Sequence, residues 1–228
     1  MNLSRKELLF LVLAGFFITN AVTAELIGGK LILVGPFTMS IGIIPWPVVF
    51  LTTDLINEYF GRKGVRILSV VTALLIAYVF ILLYFGIRVS ASPVSPVDDR
   101  SFTNVFGQSM WIITGSITAF LTSQFTDVLI FWLIRNRTGK KLLWLRATGS
   151  TAISQLIDTF IVLGIAFLLP GKITFEEYIS ISLSNYTCKL IIAISITPVI
   201  YAGHILIERY LGKESLENIN SNAKSTAG

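Results

Sequence analysis

SMWIITGSITAFLTSQFTDVLIFWLIRNRTGKKLLWLRATGSTAISQLIDTFIVLGIAFLL, residues 109–169, holds two long apolar runs around a loop that carries Arg135, Arg137, Lys140, Lys141 and Arg146. About 20 apolar residues at 1.5 Å per residue cross about 30 Å of hydrocarbon, so the stretch reads as a helical hairpin that crosses a bilayer twice. The same pattern extends outward to residues 7–24, 39–60, 65–87 and 183–211, which with 109–134 and 148–169 makes six spans. The whole 228-residue chain is 54% apolar and 14% charged, with mean hydropathy +0.76, whereas soluble domains carry about 25% charged residues. The reading is therefore an all-α polytopic membrane domain over residues 1–212, followed by a Ser-, Asn- and Lys-rich tail, 213–228, expected to be disordered and cytoplasmic. Gly28-Gly29, Gly35-Pro36 and Pro45-Trp46-Pro47 interrupt an apolar stretch over residues 31–50. Broken backbone at membrane depth survives only against protein or a water-filled cavity, so a bent or re-entrant segment is expected before the second span.

The basic residues fix an orientation, because cytoplasmic loops keep an excess of Lys and Arg. Counted by loop they alternate, thirteen on one side against four on the other (Lys30, Arg88, Arg100 and Lys172), with Lys189 inside a span. This places the chain as a multi-pass protein of the cytoplasmic (inner) membrane with both termini in the cytoplasm. Arg5-Lys6, an apolar run and the small residues at 21–24 imitate a cleaved signal peptide, but removing them would leave five spans and reverse the new N-terminus. The outer loop 89–102, with its Ala-Ser-Pro-Val-Ser-Pro, looks less ordered than a gate and receives no role.

Chemistry that needs nucleophiles or metals is poorly supplied. One Cys and one His furnish neither a disulfide nor a zinc ligand set, and His204 and Cys188 read as helix-surface residues. There is no phosphate-cradling Gly-rich motif with Lys and no nucleophile beside a base. The expectation is a non-enzyme without metal or cofactor, and without a nucleic-acid partner.

The informative residues are ionisable groups inside spans, which cost at least about 2.5 kcal/mol each on insertion scales and mark ligand or ion pathways. These are Asp54 and Glu58 in the second span, Asp127 in the fourth, Asp158 in the fifth and Lys189 in the sixth. Ser123-Gln-Phe-Thr-Asp127 and Ser154-Gln-Leu-Ile-Asp158 repeat S-Q-x-x-D on consecutive antiparallel helices. A hairpin centred on residue 141 puts Gln124 level with Asp158 and Asp127 level with Gln155, giving two expected amide–carboxylate rungs near the midplane. Helix-gluing polar pairs are the bland alternative, although uncharged residues would do that more cheaply. Glu58 could instead pair with Arg62 at the interface, and Lys189 could partner an Asp or touch substrate. Asn20 and Asn185 complete a polar lining. Trp46 is either a belt residue or a stacking wall for a flat ligand.

Carboxylates accept hydrogen bonds in pairs and a Gln offers both donor and acceptor, a combination suited to a guanine-type edge. The residues P-V-V-F-L-T-T-D-L-I-N-E-Y-F-G (47–61), S-Q-F-T-D-V-L-I-F (123–131) and R-A-T-G-S-T-A-I-S-Q-L-I-D-T-F (146–160) resemble the queuosine precursor transporter family, also described as a vitamin uptake transporter family, over residues 20–198. The resemblance implies import of the 7-deazaguanine bases preQ0 or preQ1 for queuosine salvage in tRNA. By position the family's polar signature falls on Asn20, Lys30, Asp54, Glu58, Gln124, Asp127, Arg146, Ser150, Gln155, Asp158 and Lys189, with Glu58, Lys30 and Arg146 as candidates for coupling or gating. The alternative of another class is the ligand-binding subunit of an energy-coupling factor importer for a vitamin-like molecule. Expected partners are the small-molecule base, the lipid bilayer and a second copy in a homodimer.

Overall fold

A computed structural model describes residues 3–35, 37–107, 110–138 and 142–212; the expected tail, 213–228, lies outside the described residues. Helix α1 (Arg5–Ile27) starts in a capping box, with Glu7 N–H donating to Ser4 Oγ at 3.2 Å and Ser4 N–H donating to the Glu7 carboxylate at 2.8 Å, which satisfies amides that a helix start leaves open. It runs three residues beyond the expected span, to Gly28-Gly29. The irregular segment that follows is an antiparallel hairpin of β1 (Leu31–Val34) and β2 (Phe37–Ser40), registered from Leu31 opposite Ser40 to Val34 opposite Phe37, followed by a 3₁₀ turn (Ile41–Ile43). The all-α expectation omitted this hairpin. Ser40 Oγ donates to the Gly28 carbonyl at 2.7 Å and accepts from Gly42 N–H at 3.1 Å, which ties the hairpin base to the end of α1. A Cβ on Gly42 would stand 3.1 Å from the Ala24 carbonyl oxygen, so a small residue is needed for that approach.

Helix α2 (Trp46–Gly86) covers 41 residues, about 60 Å if straight, or twice the hydrocarbon thickness. It is broken at Gly61, where φ is +75° and ψ 178°, a region open essentially to Gly alone. The expected second and third spans are its two limbs, residues 46–60 and 62–86. Among the described residues, five helices are long and apolar enough to cross a membrane, and the broken one accounts for the sequence's two separate runs. Helix α3 (Asp99–Phe106) lies in the loop that follows α2, capped by Asp98 accepting from Ser101 N–H at 2.6 Å and braced by Asp99 accepting from Ala91 N–H at 2.8 Å. Helices α4 (Met110–Thr138) and α5 (Leu143–Leu163) form the expected hairpin. A π-helical turn (Gly164–Leu168) extends α5, and α6 (Phe175–Leu211), with a Thr174–Glu177 capping box, starts eight residues earlier than expected.

The apolar core joins α1, α2 and α4 through Phe17, Val49, Ile56, Phe120, Val128 and Phe131, each 1% exposed or less. Exposed apolar residues such as Leu74 and Leu206, both 66% exposed, suit faces whose solvent is hydrocarbon. Helix α6 packs along α5 and α2 and shares few core residues with α1, which leaves a hollow between it and the rest of the bundle.

Gly61→Ala is expected to lower the unfolding temperature in detergent, because the break strains any Cβ-bearing residue by about 1–3 kcal/mol. Gly15→Ala, whose Cβ would meet nothing within 4 Å, should leave it unchanged or slightly raised. Differential scanning fluorimetry of the two variants measures the contrast.

Candidate functional site

The hollow is a cavity of about 800 Å³, within the range of ligand sites. Its walls come from the end of α1, β2, the 3₁₀ turn, the first limb of α2, α4, α5 and α6. Along α5 the lining runs from Ala147 to Leu163, about 24 Å of helix rise. Trp46 forms part of the wall, stacked on Phe50 at 5.9 Å between ring centroids and 23° between planes, and tilted against Phe120 at 5.9 Å.

Six of the expected site residues line this space: Trp46, Asp54, Gln155, Asp158, Asn185 and Lys189. Lys189 Nζ donates to Asp158 Oδ2 at 2.9 Å and to Thr159 Oγ1 at 3.2 Å, joining α6 to α5 inside the cavity. Gln155 Nε2 is buried without a partner among the described residues, which leaves a donor for a ligand. The Asn185 amide donates to the Ile181 carbonyl at 2.9 Å, a bond within its own helix.

Gln124 and Asp127 stand behind the wall, 0% and 1% exposed. Gln124 Oε1 accepts from Thr53 Oγ1 of α2 at 3.2 Å, and Asp127 Oδ1 accepts from Ser154 Oγ at 3.2 Å. The two expected rungs therefore do not form. The depth inferred from the hairpin agrees to within one residue, since Asp127 meets Ser154 rather than Gln155. Depth leaves rotation about each helix axis open, and α5 is turned so that Gln155 and Asp158 face α6 across the cavity. Asn20 is half-buried and donates to its own Phe16 carbonyl at 2.8 Å, while Lys30 is exposed on the hairpin; neither lines the cavity.

At the basic end of the bundle the lining stops at Asp54, Ala147 and Ile200. The next turn holds an ion cluster: Arg146 to Glu58 at 2.8 Å and Arg135 to Glu58 at 3.4 Å. Arg146 begins the sequence's fifth span as a loop residue, yet α5 starts at Leu143 and buries it to 2% exposure, with its guanidinium 5.7 Å from the Phe131 ring centroid. Beside the cluster the Tyr59 hydroxyl hydrogen-bonds His204 Nδ1, and His204 Nε2 lies 3.2 Å from Glu208. Glu58 thus pairs with Arg146 and Arg135 instead of Arg62, and these side chains plug the cavity at that end.

Glu25 is a cavity residue that the sequence reading omits. It is 7% exposed in the last turn of α1, with Ser116 as hydrogen-bonding neighbour and the charges of Asp158 and Lys189 acting on it. Its signal was weak because it directly follows the apolar run 7–24, where an acid reads as the end of a span. The continuation of α1 to Ile27 carries it inward.

A multi-pass helical membrane protein with a cavity of this size, polar on one side and aromatic on another, belongs to the class of small-solute transporters. A sequence profile of the family described as "Putative vitamin uptake transporter" matches residues 40–203, and the chain belongs to that family. It is 33% identical over 175 residues to a Bacillus subtilis (strain 168) protein named "Probable queuosine precursor transporter", covering 75% of this chain and 73% of the relative. A Haemophilus influenzae protein of the same name is 29% identical over 157 residues, which cover 67% of this chain and 63% of that relative's length. No solved structure matches the chain.

Arg146→Met should destabilise the protein by about 1.5–3 kcal/mol, because it removes the shorter and more buried of the two Glu58 contacts and leaves the carboxylate to Arg135 alone. Arg135→Ala, which removes the longer contact, should cost about 1 kcal/mol or less. Unfolding temperatures in detergent read the order.

Proposed function

We propose that this protein imports queuosine precursors, the 7-deazaguanine bases preQ0 or preQ1, across the cytoplasmic membrane for salvage into tRNA, with both termini in the cytoplasm. The observation that supports the reading best is the pairing of Gln155 with the Asp158–Lys189 ion pair on one wall and Trp46 and Phe50 on another. A flat base stacks on aromatic rings. Its ring N–H and exocyclic amine need acceptors and its carbonyl needs a donor, which a carboxylate, an amide and an ammonium provide. The names carried by the two relatives point to the same substrate class.

The protein acts in this reading as a carrier and carries out no covalent chemistry. The ion cluster of Glu58, Arg146 and Arg135 serves as the closed cytoplasmic gate, and the cavity as the site reached from the opposite side. The Lys and Arg asymmetry supports that orientation. A homodimer is part of the proposal, measured by the molar mass of the detergent-solubilised protein in light scattering.

Uptake of labelled preQ1 by proteoliposomes containing only this chain, without ATP, is the expected outcome; an ATP or partner requirement would favour the energy-coupling factor alternative. Asp158→Asn, Gln155→Ala and Glu25→Gln should each lower apparent affinity about 10- to 100-fold, the equivalent of about 1.5–3 kcal/mol for a hydrogen bond to a charged group. Full uptake by both Asp158→Asn and Gln155→Ala would overturn the site.

A further inference from the structure

Beneath the floor of the cavity lies a group of buried polar atoms that the carrier reading does not use. Asp54 is 3% exposed and Asn57 0% exposed, and both carboxylate oxygens of Asp54 and both amide heavy atoms of Asn57 lack a hydrogen-bond partner among the described residues. Asp127 Oδ2, 1% exposed as a residue, and Gln124 Nε2 are in the same condition. Burying a polar group without a partner is costly, and native proteins hold few such groups. This group is also compact. Asp54 and Asn57 are one helical turn apart on α2, Gln124 and Asp127 one turn apart on α4, and Thr53 joins the helices through its 3.2 Å bond to Gln124. Asp127 is the charge that acts most strongly on Asp54, followed by Arg146 and Glu58.

The donor set and the charge together select the ligand. Asp54, Asp127 and Asn57 supply hard carboxylate and carbonyl oxygens, which suit alkali and alkaline-earth ions and not soft metals. Asp54 interacts with Asp127, Arg146 and Glu58, and Glu58 pairs with Arg146 and Arg135; three carboxylates against two guanidiniums leave these five groups one net negative charge. A single positive charge neutralises it. A proton shared between the carboxylates would do so electrically but would leave the Asn57 carbonyl unengaged, whereas a coordinated ion engages the carboxylates and that carbonyl together.

We infer that Asp54, Asn57 and Asp127 form a binding site for one sodium ion between α2 and α4, directly under the substrate cavity. Asp54 belongs to both the cavity wall and this site, so ion occupancy completes the floor on which a substrate rests. The inference stands on the orphaned oxygens and the charge count, and holds whichever solute the cavity takes.

The test is thermal unfolding of the purified full chain in detergent, with no organic ligand, in NaCl, KCl or choline chloride at equal ionic strength. Sodium should raise the wild-type melting temperature by about 2–4 °C over the other two salts, with ²²Na⁺ binding saturating near one ion per chain. Asp127→Asn and Asn57→Ala, which lie outside the cavity lining, should each remove the sodium-specific shift. Identical melting in the three salts overturns the inference, as does equal stabilisation by potassium, a sodium shift that persists in both variants, or stabilisation that follows acidification alone. The wild-type comparison is decisive even if a variant fails to fold. Loss of base uptake with the sodium shift intact would discard the proposed substrate and keep the ion site.

Discussion

Hydrocarbon offers no hydrogen bonds, and nearly every feature of this molecule follows from where the chain puts groups that need them. The Glu58–Arg146 pair at 2.8 Å is the strongest expression of that constraint. Neither charge could face lipid, so the first limb of α2 and the start of α5 must meet at that point, and their meeting closes one end of the hollow. The same rule governs the small polar residues. Thr52, Thr53, Ser123, Ser150, Thr151 and Ser154 are all 4% exposed or less, and most return their hydroxyls to carbonyls three or four residues back in their own helix. Small residues of this kind let helices approach closely, which brings α2, α4 and α5 near enough for Gln124 and Asp127 to find partners across the interfaces.

Irregular backbone is handled in the same way. The β1–β2 hairpin and the 3₁₀ turn leave edge amides that lipid could not satisfy; β2 sits against α6, the 3₁₀ turn against α1 and α2, and both line the cavity. The break at Gly61 serves a different need. A helix of 41 residues cannot cross once without overshooting, and one residue with positive φ redirects it where a longer loop would otherwise be required. Helix α6 is held to α5 by polar contacts, Lys189 to Asp158 and Thr148 to Thr197, each at 2.9 Å, and by a small apolar cluster of Leu143, Ala147 and Ile200.

Much of the candidate site was legible from the expense of its residues. Asp54, Asp158 and Lys189 stood out because nothing but a ligand, an ion or a partner justifies a charge inside an apolar run. Gln155 was found through its echo in Gln124, yet the two copies do different work: one faces the cavity and the other binds α2. Repetition along a sequence fixes spacing on each helix and says nothing of the angle at which the helices are rolled together. Glu25 and the burial of Arg146 were hidden for a simpler reason. Both lie at the ends of apolar runs, where hydropathy cannot tell the last turn of a helix from the first residue of a loop.

The sequence by itself determined the solvent, the number of apolar runs and which side holds the basic residues, because these depend on composition and on a helix rise that is the same in every protein. It also determined that some buried charges had to be compensated. Only the tertiary structure decided how: that Asp127 takes Ser154, that Lys189 takes Asp158, that Arg146 plugs the basic end, and that Asp54 and Asn57 are buried with no hydrogen-bond partner among the described residues. Partners of that kind are set by helix rotation and crossing, which arise from packing among many side chains at once and leave no local trace in the chain.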